Sequence, residues 1–380
     1  MLDINHDYSD LISQFDEACQ LLKKKDISFE DKVCASNTFF SLLSSYEKIM
    51  HYEFGAEEIE EMISPDIIDY FDQNDLERYY QFLKDKRWHT DVFYHAYDEL
   101  RSEMEEVDFS LLAFMDDSFD CHKDKTLLSQ YFSSYSDLDG VYHNLLLSGH
   151  IYPLNDFSHE VGGLTCFNLL RKCCNVFVNE VNTSFTDLSG VPHELGHGVD
   201  FQDGICNCSS LGQSRFLSFD FFREVLSNYY EQQFLFYFLE NGPYHDKAYL
   251  SLIQYYDKYL KLLQESFYLS SLPHESLEEK IRDTLPLFMI EKELVYDGML
   301  DQSEMTMDDR LVDFDVSVMY SYGFLLSTYL LEHPELFEDF MKIKNQPFSI
   351  EHLQDIGVTT DSLVKSLRRR SNRVFSLNNH

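Results

Sequence analysis

A chain of 380 residues with 44% hydrophobic and 15% aromatic side chains can bury a large core, which excludes a disordered or fibrous protein and implies one large helical domain or two packed together. Its 30 Lys and Arg stand against 67 Asp and Glu, and the formal charge of −37 argues against nucleic acid and anionic membrane as partners. No stretch approaches the roughly 18–20 apolar residues of a spanning helix, and Met1 to Asp7 lack a basic-then-apolar secretion pattern, so a cytoplasmic protein with eight reduced cysteines is expected.

From Leu11 to about Phe132 apolar residues recur at three and four spacing, as in Leu76-Glu77-Arg78-Tyr79-Tyr80-Gln81-Phe82-Leu83. A bundle of four to six helices follows, broken at Phe54-Gly55 and Ser64-Pro65. Glu57-Glu58-Ile59-Glu60-Glu61 reads as a solvated helix face, and His89, His95 and His122, which have no partner at metal-ligand spacing, as ordinary surface or core histidines. Residues 1–130 are taken as an N-terminal helical region and 131–380 as the region that carries the chemistry.

Between Gly149 and Thr186 the texture changes. Val161–Leu169 and Asn175–Val181 are short, rich in β-formers and bounded by turn residues, and they are the only strong strand signals in the chain. The edge of such a sheet can bind an extended peptide through its backbone, or the pair can be a plain structural hairpin.

The stretch Val191-Pro192-His193-Glu194-Leu195-Gly196-His197-Gly198 carries the spacing H-E-x-x-H. On a helix, His193 and His197 share a face one turn apart and can converge on one zinc ion, with Glu194 beside it to take a proton from the attacking water. Ser189 as a cap and Pro192 in the first turn place the helix start close to His193, with an end near Asp203-Gly204. A catalytic zinc needs a third protein ligand. Asp203 is one candidate, but the compact metzincin-like geometry that would use it wants Gly where Asp200 stands. Glu224 is preferred, because it lies in an apolar segment where a carboxylate needs a cation.

That segment predicts a buried helix over about Phe216 to Glu240, stopped by Asn241-Gly242-Pro243, with Glu224, Asn228 and Glu231 on one face. Asn228 and Glu231 are expected either to orient His193 or His197 or to face solvent. Amphipathic helix resumes from Tyr249 to about Leu300, with breaks at Pro273 and Pro286, and Asp313 to Leu326 opens a helix that ends near His333-Pro334. Tyr320 and Tyr322 on it are candidate oxyanion donors or core aromatics. Cys173-Cys174 and Cys206-Asn207-Cys208 lack the C-x-x-C spacing of metal and redox pairs.

Taken together, Val176-Phe177-Val178-Asn179, Asp187, His193-Glu194-Leu195-Gly196-His197-Gly198, Phe222-Arg223-Glu224-Val225-Leu226-Ser227-Asn228 with Glu231, Tyr320-Ser321-Tyr322-Gly323 and Phe348 to Val358 resemble the oligoendopeptidase F branch of the thimet oligopeptidase family. The resemblance spans roughly Tyr131 to Leu367. It implies a mainly α, gluzincin-type helical metallopeptidase with a small β-sheet next to the active-site helix, acting on peptide substrates. It implies one zinc per chain on His193, His197 and Glu224, and Glu194 as general base and proton shuttle. Tyr320 falls at the transition-state tyrosine, with Tyr322 beside it, and the strand containing Gly163, Leu164 and Thr165 falls at the substrate-binding edge. Three departures stand out. Leu311-Val312-Asp313-Phe314 occupies the stretch where the family has a His before its tyrosine pair, Pro192 precedes the first ligand, and the shorter N-terminal side implies a reduced lid and a more open cleft. The alternatives are a catalytically impaired peptidase-like binding protein and the metzincin-like protease with Asp203.

Overall fold

Two helices of the N-terminal half begin where the chain supplies its own caps. The protein is described from a computed structural model over residues 4–105, 107, 126–154, 163–179, 184–207, 220–241, 244–273 and 314–376. After α1 (Ser9–Leu22), the Ser28 hydroxyl opens α2 (Phe29–Met50) by accepting from the Asp31 amide at 3.1 Å. The helix closes on His51, whose φ of 51° is left-handed. Glu58 reaches back to the Gly55 amide at the start of α3 (Ala56–Met62), and Pro65 occupies the first position of α4 (Pro65–Lys84), where no amide is needed. With α5 (Lys86–Met104) and α6 (Thr126–Phe132) the described residues up to Phe132 are mostly helical, as the periodicity implies.

The remaining elements are α7 (Ser136–Ser148), β1 (Ile151–Pro153), β2 (Gly163–Asn168), β3 (Cys173–Val178), α8 (Phe185–Asn207), α9 (Val225–Asn241) and α10 (His245–Ser271). They are followed by α11 (Phe314–Glu332), a 3₁₀ turn at Pro334–Leu336, α12 (Phe337–Ile343), α13 (Ile350–Asp355) and α14 (Thr360–Phe375). The fold is thus mostly helical with one small sheet.

That sheet has three strands in the order β1-β3-β2, where the sequence suggests two. The third, β1, pairs parallel to β3 from Ile151 opposite Val176, and three residues are too few to show alternation. β2 runs antiparallel to β3, from Gly163 opposite Val178 to Asn168 opposite Cys173, and leaves its outer edge unpaired within the sheet. Side chains alternate across the sheet as a pleat requires. Phe167, Cys174, Val176 and Val178 join the core shared with α8, while Cys166, Phe177 and Tyr152 join the core of α1, α2, α3 and α4. On that second face the fully buried amides of Gln14, Asn168 and Asn175 satisfy one another, with Gln14 Oε1 accepting from both asparagines at 2.9 Å. α5 belongs to the first core, together with α8, α9, α10, α11 and α14.

Three expected boundaries are corrected. α8 begins at Phe185 instead of near His193, because Ser184 and Asp187 form a reciprocal cap, the Ser184 amide donating to Asp187 at 3.1 Å and the Asp187 amide to Ser184 Oγ at 2.9 Å. Pro192 therefore lies inside the helix, and Ser189, expected as its cap, donates to the Thr186 carbonyl at 2.7 Å. α9 begins at Val225, so Glu224 sits in the turn ahead of it. The helix expected from Tyr249 starts at His245 and closes at Ser271 ahead of Pro273, while Pro286, Leu300 and the Leu311 to Asp313 stretch lie outside the described residues, as do His122, Cys121 and Cys208. The six described cysteines are free thiols, and no helix among the described residues is long and apolar enough to cross a membrane.

Candidate metal centre

The close approach of α8 and α9 decides where the motif points. Gly196 lies between the two histidines, and a Cβ there would stand 2.7 Å from the Leu226 carbonyl oxygen and from the Ser227 Cα, so only glycine lets the two backbones come this near. The consequence is that His193 and His197, one turn apart, face the residue just ahead of α9. That residue is Glu224. One ligand atom from each of His193, His197 and Glu224 lies within 4.8 Å of the other two, and the residues are 9%, 8% and 3% exposed. Glu224 Oε2 is 3.4 Å from His193 Nε2 and 3.5 Å from His197 Nε2.

Glu224 is held from three sides. Ser227 Oγ donates to its Oε2 at 2.8 Å, and Asn228 Nδ2 donates to its backbone carbonyl at 2.7 Å. Gly323 of α11 presses against it, with room for no Cβ, since one would stand 2.5 Å from that of Glu224. Asn228 in turn accepts from the hydroxyls of Tyr255, at 2.6 Å, and Tyr259, which lie one turn apart on α10. Asn228 thus fixes Glu224 and not a histidine. Glu231 does reach a histidine: its Oε2 accepts from His193 Nδ1 at 2.8 Å, and Ser189 Oγ lies 3.3 Å from its other oxygen. With Nδ1 committed, Nε2 is the nitrogen His193 turns toward Glu224.

Electrostatics give the cluster a marked appetite for positive charge. Burial works against a charge on His193, but the hydrogen bonds to Glu224 and Glu231 and their charges outweigh it and push its pKa up to about 10. Burial likewise opposes the charged form of Glu224, yet its two histidine neighbours, with Arg223 beyond them, hold it well below the usual carboxylate range. Burial, helped by the adjacent His193 charge, depresses the pKa of His197. Two imidazole nitrogens and a carboxylate, buried and already drawing a proton into their midst, are the donor set that suits zinc with an open coordination position. The residues fit the ion.

Glu194 stands beside this group, 6% exposed. Thr165 Oγ1 lies 2.7 Å from its Oε2 and 3.1 Å from its backbone carbonyl oxygen, and Gly163 packs so close that a Cβ would stand 2.4 Å from Glu194 Cγ. The β2 residues Gly163 and Thr165 therefore adjoin Glu194, with Leu164 between them on the opposite side of the pleat.

The expected alternatives resolve unequally. Asp203 is corrected as a ligand candidate: its Oδ2 lies 2.8 Å from Lys344 Nζ and accepts from Asn345 Nδ2 at 2.6 Å. Tyr322 is fully buried, its hydroxyl paired with His89 Nδ1 and its ring among Trp88, Phe93, Phe221 and Phe348. Tyr320, partly buried, has Lys258 Nζ 4.9 Å from its ring centre. Ser227, Tyr255 and Tyr259 were not singled out by sequence, although the Glu-x-x-Ser spacing and the i, i+4 tyrosine pair are visible in it. No known family model and no curated protein matches the chain. Among solved structures it is similar to one described as "a putative oligoendopeptidase F from Bacillus anthracis str. Ames", at a TM-score of 0.42 and 11% identity, over 97% of this chain and 74% of that one.

Proposed function

We propose that the chain is a zinc-dependent endopeptidase that hydrolyses peptide bonds in oligopeptides. The observation that carries this reading is the buried convergence of His193, His197 and Glu224 within 4.8 Å, with Glu194 beside them and no lysine or arginine paired to Glu224 among the described residues. His193, His197 and Glu224 would hold the ion, and Glu231 keeps His193 Nε2 aimed at it by accepting from Nδ1. Zinc, when bound, supplies Lewis acidity that makes water a nucleophile near neutral pH.

This chain's own residues do the rest. Glu194 takes the proton of the attacking water on a carboxylate oxygen and returns it to the leaving amine nitrogen, so one side chain serves as base and then acid. The outer edge of β2, at Gly163, Leu164 and Thr165, offers backbone N–H and C=O groups to an extended peptide beside Glu194. Tyr320 is the tyrosine assigned to the developing oxyanion, since the Tyr322 hydroxyl is committed to His89. Elemental analysis of the purified chain, followed by incubation with a quenched fluorescent peptide library with and without a chelator, tests the proposal. One zinc per chain and chelator-sensitive cleavage are expected. Bound zinc without cleavage favours a peptidase-like binding protein instead.

A further inference from the structure

We propose that the Thr165 hydroxyl is a positioning group for Glu194, fixing the carboxylate by its Oε2 so that Oε1 is the oxygen that handles the proton. The inference rests on Glu194 being the proton carrier. Its physical basis is the face of β2 that looks at α8. Side chains at 163 and 165 project the same way from a strand. At 163 that face provides clearance, because the Glu194 side chain fills the space a Cβ would take, with Oε1 2.7 Å from it. At 165 it provides a donor.

The hydroxyl has a single proton and two acceptors within reach, the Glu194 carbonyl oxygen at 3.1 Å and Oε2 at 2.7 Å. The nearer and charged one takes it. Oε1 accepts no hydrogen bond among the described residues, so the two oxygens of one carboxylate are chemically unlike: one is anchored and one is available. An unanchored glutamate would spread over several staggered rotamers, and a misplacement of about 1 Å at a reacting group costs on the order of 100-fold in rate. Thr165 is thereby given a side-chain task distinct from the backbone pairing of the strand it stands on.

Two variants and a control separate the possibilities, using the full chain loaded with zinc and a quenched fluorescent peptide that it cleaves. Thr165→Val keeps the side-chain shape and removes the hydroxyl, whereas Thr165→Ser keeps the hydroxyl and removes the methyl. The Val variant is expected to retain one zinc per chain and a KM within about twofold, while kcat falls about 10–100-fold, and the Ser variant is expected to recover most of that loss. Crystal structures of both variants add a readout independent of turnover: the serine hydroxyl remains within hydrogen-bond reach of Glu194 Oε2, and in the Val variant the carboxylate leaves that position. A Val variant with wild-type kcat and an unmoved Glu194 overturns the proposal, as does equal impairment of both variants. Glu194→Gln with ordinary turnover overturns the underlying reading of Glu194 instead, so the two failures are told apart.

Discussion

Helix α8 carries two clusters of buried charge, and they balance their books differently. Toward its end, Asp200 and Asp203 meet Lys344, whose ammonium lies 2.5 Å from Asp200 Oδ1 and 2.8 Å from Asp203 Oδ2, with Lys344 and Asp200 each about fully buried. In the middle of the same helix, Glu224 and Glu231 surround two histidines, and among the described residues neither carboxylate is paired with a lysine or arginine. The first cluster carries a fixed cation in its own sequence. In the second, the two carboxylates hold the His193 pKa up, and the donor set could take a metal in place of a proton. A buried carboxylate is therefore informative only once its counter-charge has been sought. Where the described residues supply none, as at Glu224, a bound cation could fill that place.

The sharpest way to break this comparison is at Glu194, the proton carrier of the proposed reaction. Glu194→Gln should lower turnover about 1,000-fold or more, the scale of a lost general base, with zinc content unchanged. Replacing the fixed cation should act on stability instead. Lys344→Met strands the buried Asp200, and denaturant unfolding should show a loss of about 3–5 kcal/mol with or without chelator. Were the loss to vanish once zinc is removed, the two clusters would not be independent.

A smaller effect belongs to the group that aims the histidine. Glu231→Gln keeps the shape beside His193 but removes the charge, and competition with a chelating dye should report zinc affinity weaker by about 10–100-fold. His89 supplies the smallest effect and a third mode of burial, that of a neutral ring. Burial depresses its pKa to about 3, and its Nε2 finds no hydrogen-bond partner among the described residues. The unfolded chain, with an ordinary histidine pKa near 6.5, therefore binds a proton that the folded chain refuses. Stability linked to His89 is complete above about pH 6.5 and declines by at most about 1.4 kcal/mol per pH unit as the pH falls toward 3. Unfolding curves at pH 7 and pH 5 should differ less for His89→Gln than for the wild-type chain. An unchanged pH dependence would place the titrating group elsewhere.

Local periodicity and spacing made much of this legible. The one-turn spacing of His193 and His197, the helices described up to Phe132 and the β2 and β3 segments follow from patterns within a few residues, and such patterns survive folding. The errors are equally physical. Pro192 suits a first turn, but the reciprocal cap of Ser184 and Asp187 sets the true start earlier in the chain. α9 itself is buried on nearly every side, so it has no stripe to mark where the helix begins. β1 is too short to alternate. The pairing of Tyr322 with His89 and of Asp200 with Lys344 joins residues far apart in the chain, which no local pattern encodes.

The central claim is that the middle of α8 and the turn before α9 form one cation site. Anomalous diffraction at the zinc edge, on crystals of the wild-type chain grown with zinc, tests it most directly. The account predicts a single strong peak bonded to His193, His197 and Glu224. A peak at Asp200 and Asp203, or none between the histidines, would contradict it.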